Sequence, residues 1–292
     1  MSDLPAALAF LGVQESLEKA AVGVLPVPYD LTTTYQPGAR FGPRAILTAS
    51  HDVELFDEEL RWDPSRAGIH TLHPVEPLAT GPEAMVARIA DAVSTLFAAG
   101  KFPVLLGGDH SITIGALEAL GRHWEDPWVL QFDAHADLRD RYQGSPFSHA
   151  CVMARARESF SCVQAGLRSW SEEEEGPLWE IPGRILPASE IAEDPAGAAA
   201  RLDEVLGDPV YVTIDVDCLD PACMPATGTP EPGGLDWRSL TRLLRLVAER
   251  RHVVGFDLTE LSPIPGFVAP DFLAARLAAK MIGYVFQPRS GG

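Results

Sequence analysis

The stretch Asp133-Ala134-His135-Ala136-Asp137 sets carboxylate, imidazole and carboxylate at alternate positions, separated by alanines. On extended backbone, residues i, i+2 and i+4 point the same way, so the three polar groups converge while the small alanines turn aside. Asp215 and Asp217 repeat the spacing, and His110 closes a Gly-Gly-Asp-His sequence. Burying several carboxylates at one strand end costs several kcal/mol per ion unless opposite charge compensates. A single Asp of this kind commonly caps a loop or a helix amide. DxHxD, DxD and GGDH together in one chain point instead to a divalent metal pair. The ligand set is then His110, Asp133, His135, Asp137, Asp215 and Asp217. Mixed carboxylate and imidazole donors without thiolate suit manganese or another borderline-hard ion better than structural zinc. Bridging aspartates would hold two ions roughly 3.5–4 Å apart, a spacing that activates one water for attack on a trigonal carbon.

These groups need elements to carry them. Short apolar runs ending in Gly, Asp or Pro predict strands at residues 21–25, 102–106, 128–132, 163–167, 210–214 and 252–256. Helical periodicity lies between them, most clearly at 82–99, where Met85, Ile89, Val93, Leu96 and Phe97 make one apolar stripe. Residues 111–122, 195–206, 236–250 and 273–282 read as further helices. Such alternation implies an α/β fold, with parallel strands covered by helices on both faces. Functional groups then collect on the loops that leave the carboxyl ends of the strands. PVLLGGDHS, LQFDAHAD, YVTIDVDCLDPA and GFDLTELSP each follow that rule, so four strands deliver His, Asp or Glu to one edge.

The 292 residues show no internal repeat and no low-complexity linker, and read as a single domain over 1–292. The acidic run Glu172–Glu175 reads as a solvated loop or a helix start. A net charge of −18 argues against nucleic acid or an anionic membrane as partner, and favours a cationic ligand. No apolar run is long enough to span a bilayer. The opening MSDLPAALAFLGVQESLEKA lacks the basic start of a signal peptide. Cys151, Cys162, Cys218 and Cys223 form no CxxC pair, so reduced thiols and a cytoplasmic location are expected.

GGDHS at 107–111, DAHAD at 133–137 and DVDCLDPACMPATGTPEPGG at 215–234 resemble the three signature segments of the ureohydrolases, the arginase and agmatinase family. YDLTTTYQPGARFGPRAI at 29–46 is similar to that family's N-terminal segment. The resemblance implies a three-layer α/β/α sandwich around a mainly parallel sheet, and two Mn2+ per subunit. By position, His110 and Asp137 would bind the first ion, His135 and Asp217 the second, and Asp133 and Asp215 both. Asp109, Asp220 and Asp257 would support the ligands rather than coordinate. Glu260, in DLTELSP, matches the glutamate that pairs with a substrate guanidinium, a planar cation suited to a carboxylate accepting two hydrogen bonds. His149 matches a histidine that relays protons to the departing amine, work that suits a group titrating near neutrality. His149 and Glu260 are thus the expected catalytic and substrate-binding residues. His51, His70, His73, His123 and His252 fit no segment and read as structural or surface residues.

Leu138-Arg139-Asp140-Arg141-Tyr142 lacks the Asn with which arginases begin their grip on an α-carboxylate. The segment resembles the agmatinase branch, which implies agmatine as substrate, hydrolysed to putrescine and urea. The alternatives are N1-aminopropylagmatine, giving spermidine, then a guanidino acid such as 4-guanidinobutyrate held by Arg139, Arg141 or Arg168, or arginine itself. A non-catalytic relative is a further reading, as is a single-zinc deacetylase, which leaves His110 and Asp217 without a task. Contacts to the substrate tail are expected from residues 166–175 and 32–40. The resemblance also implies a homo-oligomer, trimer or hexamer.

Overall fold

The computed structural model describes residues 8–288. Residues 1–7, part of the opening stretch read above for a targeting signal, and residues 289–292, the far end of the span expected to be one domain, lie outside the described residues. The strands are β1 (Val22–Pro26), β2 (Ile69–Thr71), β3 (Phe102–Leu106), β4 (Trp128–Phe132), β5 (Ser161–Leu167), β6 (Ile185–Pro187), β7 (Val210–Asp215) and β8 (Val253–Thr259). They form one sheet in the order β2-β1-β3-β8-β7-β4-β5-β6, every pair parallel. The helices are α1 (Gly42–Ser50), α2 (Pro82–Ala98), α3 (Ile112–His123), α4 (Val152–Arg157), α5 (Glu172–Leu178), α6 (Ala188–Glu193), α7 (Pro195–Val205), α8 (Trp237–Arg250) and α9 (Ala269–Phe286).

Strand side chains alternate between the two faces of a sheet. Val104 and Leu106 of β3, Leu130 and Phe132 of β4, and Val212 and Ile214 of β7 face one side. There they meet Ile46 of α1, Leu202 of α7, Leu240 and Leu244 of α8 and Ala275 of α9. Leu105, Val129 and Tyr211, one residue out of phase, face the other side with Met85 and Ile89 of α2, Leu120 of α3 and Met153 of α4. The result is the expected α/β/α sandwich. All six expected strands are present. The two the sequence did not show, β2 and β6, are three-residue edge strands, too short to display a period.

The strand order decides where the polar loops meet. Chain order runs from β3 to β4, but β8 and β7 lie between them in the sheet. The four motif-bearing strands are therefore four neighbours in the middle, β3-β8-β7-β4. Pockets in open α/β sheets form where the chain changes direction in this way.

The entry to that edge is crowded. The loop after β1 crosses the loop after β3, and Asp109 donates its backbone N–H to the Tyr29 carbonyl at 2.7 Å. A Cβ on Gly108 would stand 1.7 Å from that carbonyl oxygen. Gly108→Ala is expected to cost at least about 1–3 kcal/mol of stability by overpacking against backbone that has no room to give. Thermal unfolding checks this, and an unchanged Tm would show the crossing to be loose.

Candidate metal centre and cavity

At the carboxyl edge of the four middle strands the six expected ligands converge. His110 Nδ1 lies 3.0 Å from Asp133 Oδ2, 3.1 Å from Asp137 Oδ2 and 3.4 Å from Asp215 Oδ2. His135 Nδ1 lies 2.9 Å from Asp217 Oδ2 and 3.6 Å from Asp133 Oδ1. His110, Asp133 and Asp137 thus make one compact ligand group, and Asp133, His135 and Asp217 a second. Asp133 belongs to both. Asp215 Oδ1 meanwhile accepts the backbone N–H of Asp217.

Whether the site suits cations follows from one tautomer. Thr213 Oγ1 donates to Asp257 Oδ1 at 2.6 Å, so its lone pairs remain to accept from His110 Nε2 at 2.8 Å. Asp257 is held in turn by Tyr211 Oη and Thr113 Oγ1, both donating to Oδ2. With its proton on Nε2, a neutral His110 turns the Nδ1 lone pair toward three carboxylates. This Nδ1 is buried and has no hydrogen-bond partner. An acceptor aimed at acceptors needs a cation between them, a proton in the metal-free chain or a divalent metal, which these donors fit.

The titration shifts tell the same story. Burial raises Asp137 to about 7, helped by the charge of Asp133. Burial, with the charges of Asp217 and Asp133, lifts Asp215 well above its ordinary range. Burial alone would raise Asp133 as well, but the adjacent imidazoles of His110 and His135 outweigh it and hold the group low. Burial would lower the two imidazoles, yet the adjacent carboxylates of Asp133 and Asp137 keep His110 well above its usual value, and Asp217 and Asp133 do the same for His135. Without metal, the cluster balances its negative charge by holding protons.

Two residues of the site sit in left-handed backbone, Asp137 at φ 52° and Glu260 at φ 64°. Such conformations cost of order 1–3 kcal/mol outside glycine and persist only where surrounding structure imposes them. Here the Asp137 carbonyl accepts from the backbone of Met153 and Ala154. Glu260 gives its N–H to the Gly108 carbonyl, and its Oε1 accepts from His110 N at 2.7 Å. Burial, and then the charge of Asp109, pushes Glu260 well above the usual carboxyl range.

Glu260 and His149 line a cavity of about 240 Å³ together with five of the expected ligands, His110, His135, Asp137, Asp215 and Asp217. His149 Nδ1 faces Thr32 Oγ1 at 3.3 Å, and the same hydroxyl donates to Asp109 Oδ2 at 2.8 Å. Burial holds His149 below its ordinary value, and the nearby His110 and His135 add to this against the pull of Asp109. Asp220 closes its own loop by accepting from Ala222, Gly233 and Gly234 N.

The three arginines named for the guanidino-acid alternative all have partners within the protein. Arg168 gives its guanidinium to backbone carbonyls, including those of Asp217 and Glu231 at 2.7 Å. Arg141 donates to the Gly144 carbonyl. Arg139 reaches the cavity but pairs with Glu173 at 3.0 Å and stacks over Tyr142. The acidic run is the start of α5, where Ser171 and Glu174 form a capping box. Glu174 is not solvated. It turns inward and accepts from Leu138 N at 2.8 Å. Of the tail contacts sought in residues 32–40 and 166–175, Thr33, Thr34, Ser169, Trp170, Ser171 and Glu174 line the cavity. Thr213 was missed although its position two before Asp215 put it on the same face. Thr32 opens the 32–40 stretch expected at the substrate tail, but nothing in the sequence marked its hydroxyl as a partner of His149. His51, His70, His123 and His252 stand outside the cavity, and all four cysteines are free.

A model of the arginase family matches residues 20–284. The chain is 39% identical over 277 residues to the N(1)-aminopropylagmatine ureohydrolase of Synechocystis sp., covering 92% of this chain and 90% of that one. It is 41% identical over 270 residues to the protein of that name from Thermus thermophilus, covering 91% and 90%. Among solved structures it is similar to the agmatine ureohydrolase of Thermoplasma volcanium, with a TM-score of 0.85 and 29% identity, covering 98% of this chain and 95% of that one.

Filling the site with metal must expel the protons that Asp137, Asp215 and the imidazoles hold. Each of these groups is raised, so its proton opposes the cation below its pKa and is gone above it. Affinity for a divalent probe such as Mn2+ is therefore expected to rise at least about tenfold between about pH 6 and about pH 8, with protons released on binding. Calorimetry in buffers of different ionisation enthalpy measures both. PH-independent affinity would mean that these groups do not hold the ion.

Proposed function

The chain belongs to the arginase family, and on that premise we propose that it is a manganese-dependent ureohydrolase acting on a cationic guanidino-amine. What carries this is the orphaned His110 Nδ1, turned toward three buried carboxylates beside the cavity that Glu260 and His149 line. His110 and Asp137 would hold one ion, His135 and Asp217 the other, with Asp133 and Asp215 shared. The pair, when bound, supplies the Lewis acidity that makes water a nucleophile near neutral pH.

The remaining work falls to side chains of the chain. Glu260 binds the guanidinium. Its carboxylate is buried, fixed on one oxygen by His110 N, and costly to ionise without a cation beside it. A planar guanidinium meets that need through paired N–H donors and is thereby oriented toward the ligand cluster. His149, held below its ordinary pKa, is a neutral imidazole near pH 7 and so able to take up a proton. It takes the proton that the attacking water gives up and hands it to the amine nitrogen as the new C–O bond replaces the breaking C–N bond, leaving urea and a protonated amine. Thr32 fixes the ring through Nδ1.

The substrate read from the sequence is agmatine, giving putrescine. The longer N1-aminopropylagmatine, giving spermidine, is favoured by the names of the Synechocystis and Thermus relatives. A guanidino acid is less well served, since Arg139, Arg141 and Arg168 are all engaged elsewhere. The homo-oligomer, trimer or hexamer, and the cytoplasmic location belong to this proposal through the family resemblance. No helix among the described residues is long and apolar enough to cross a membrane.

Urea release with Mn2+ from agmatine, N1-aminopropylagmatine, 4-guanidinobutyrate and arginine tests the substrate class. One of the first two is expected to give the highest kcat/KM, and arginine leading by a wide margin would overturn the reading. Asp133→Ala is expected to abolish turnover and manganese retention together, so a fully active variant would remove the shared-ligand assignment. Glu260→Gln is expected to raise KM and lower kcat/KM at least about tenfold, or about 1.4 kcal/mol. An unchanged kcat/KM would place the guanidinium elsewhere.

A further inference from the structure

His135 differs from the other five ligands. Their side chains are at most 8% exposed, and its own is 26% exposed. His110 has Thr213 behind its Nε2 to fix the ring. On the corresponding side of His135 stands a carboxylate, Glu231, with Oε1 4.0 Å from Nε2. Glu231 lies in the long loop between the last metal-binding aspartate and α8, and nothing in its spacing from DxD marks it as part of the site.

Its position is nonetheless built. Ser169 Oγ donates to Glu231 Oε1 at 3.1 Å. Ser169 is itself fastened to the ligand segment, since its N–H donates to the Ala134 carbonyl and its own carbonyl accepts from Ala136 N. The Glu231 carbonyl accepts from Arg168 Nε at 3.2 Å and Nη2 at 2.7 Å. The same guanidinium donates to the carbonyl of the ligand Asp217 at 2.7 Å and to those of Cys218 and Leu219. One buttressed cation therefore ties the backbone carrying Glu231 to the backbone carrying Asp217, and Ser169 ties the Glu231 side chain to the strand end carrying His135.

We propose that Glu231 is a positioning residue for the metal ligand His135, accepting the Nε2 proton so that Nδ1 turns its lone pair toward Asp133 and Asp217. Arg168 fixes the loop that puts it there. The 4.0 Å gap is closed by a small swing of the Glu231 side chain, which is 39% exposed and tethered at one oxygen only. Histidine ligands commonly donate their second ring N–H to a carboxylate, which sets tautomer and orientation, and loss of that partner typically costs ten- to a hundredfold in metal affinity. The inference rests on the cluster being a metal centre.

The experiment uses the full chain and reads Mn2+ binding directly, by calorimetry and by metal content after dialysis against a chelator, beside kcat and KM for agmatine and N1-aminopropylagmatine. Glu231→Ala alters an exposed side chain and leaves the carbonyl clamp intact, so the fold should stand. It is expected to weaken one of the two manganese sites about tenfold or more, with KM at saturating metal within about twofold of the wild type. Glu231→Gln, which keeps an acceptor of the same reach, is expected to recover most of that loss. Wild-type manganese affinity in Glu231→Ala would overturn the proposal, and a rise in KM alone would make Glu231 a substrate contact instead. A wild-type chain that binds no Mn2+ would sink the metal centre and this inference with it. Failure confined to the variant leaves the centre standing.

Discussion

Four buried carboxylates and two imidazoles are packed at one sheet edge, and most of the local structure follows from the cost of that. In the absence of metal the cluster compromises by keeping protons, with Asp137 raised to about 7 and Asp215 higher than its ordinary range. Like charges this close cannot all ionise. A pair of divalent cations removes the conflict, and the same crowding that destabilises the metal-free chain becomes affinity for them. A fold can support such a site only if its backbone resists relaxing away from it.

That resistance comes from the layers beneath. Asp257, at the centre of β8, accepts three hydroxyls from Tyr211, Thr213 and Thr113, and Thr213 passes the constraint on to the His110 ring. The left-handed backbone at Asp137 and Glu260 is imposed by hydrogen bonds from neighbouring segments. Both residues owe their side-chain direction to that conformation. Arg168 completes the frame on the open side by binding carbonyls of two loops that would otherwise meet solvent.

The cavity is chemically unequal along its length. Its floor is carboxylate and imidazole, with Glu260 buried and short of a cation. Toward the mouth lie threonines, Tyr142 and Trp170, with Arg139 neutralised by Glu173. The floor can distinguish a guanidinium from a neutral amide by charge alone. The mouth has no unengaged cation among the three arginines to seize a carboxylate. This asymmetry, together with an acidic chain, is why an amine-tailed guanidino compound suits the site better than an amino acid.

The residues that converge were legible in the sequence because carboxylates and imidazoles spaced by two just beyond a strand are a local pattern, although Asp137 takes left-handed backbone and Asp217 a 3-10 turn rather than the extended backbone expected. The strand–helix rhythm was legible for the same reason, as were the six long strands. Edge strands β2 and β6 were not, since three residues cannot display a period. The clamp made by Arg168 and the place of Glu231 escaped because their partners, backbone carbonyls and the Ser169 hydroxyl, lie far away along the chain. The inward turn of Glu174 escaped because a run of four glutamates carries no sign of which one meets the protein. The sequence by itself determined which atoms could bind metal, since that follows from side-chain chemistry and spacing of two. Only the tertiary structure decided that β8 and β7 lie between β3 and β4. Strand order is set by long-range packing and has no local code, and it is this order that brings the four motifs to one point.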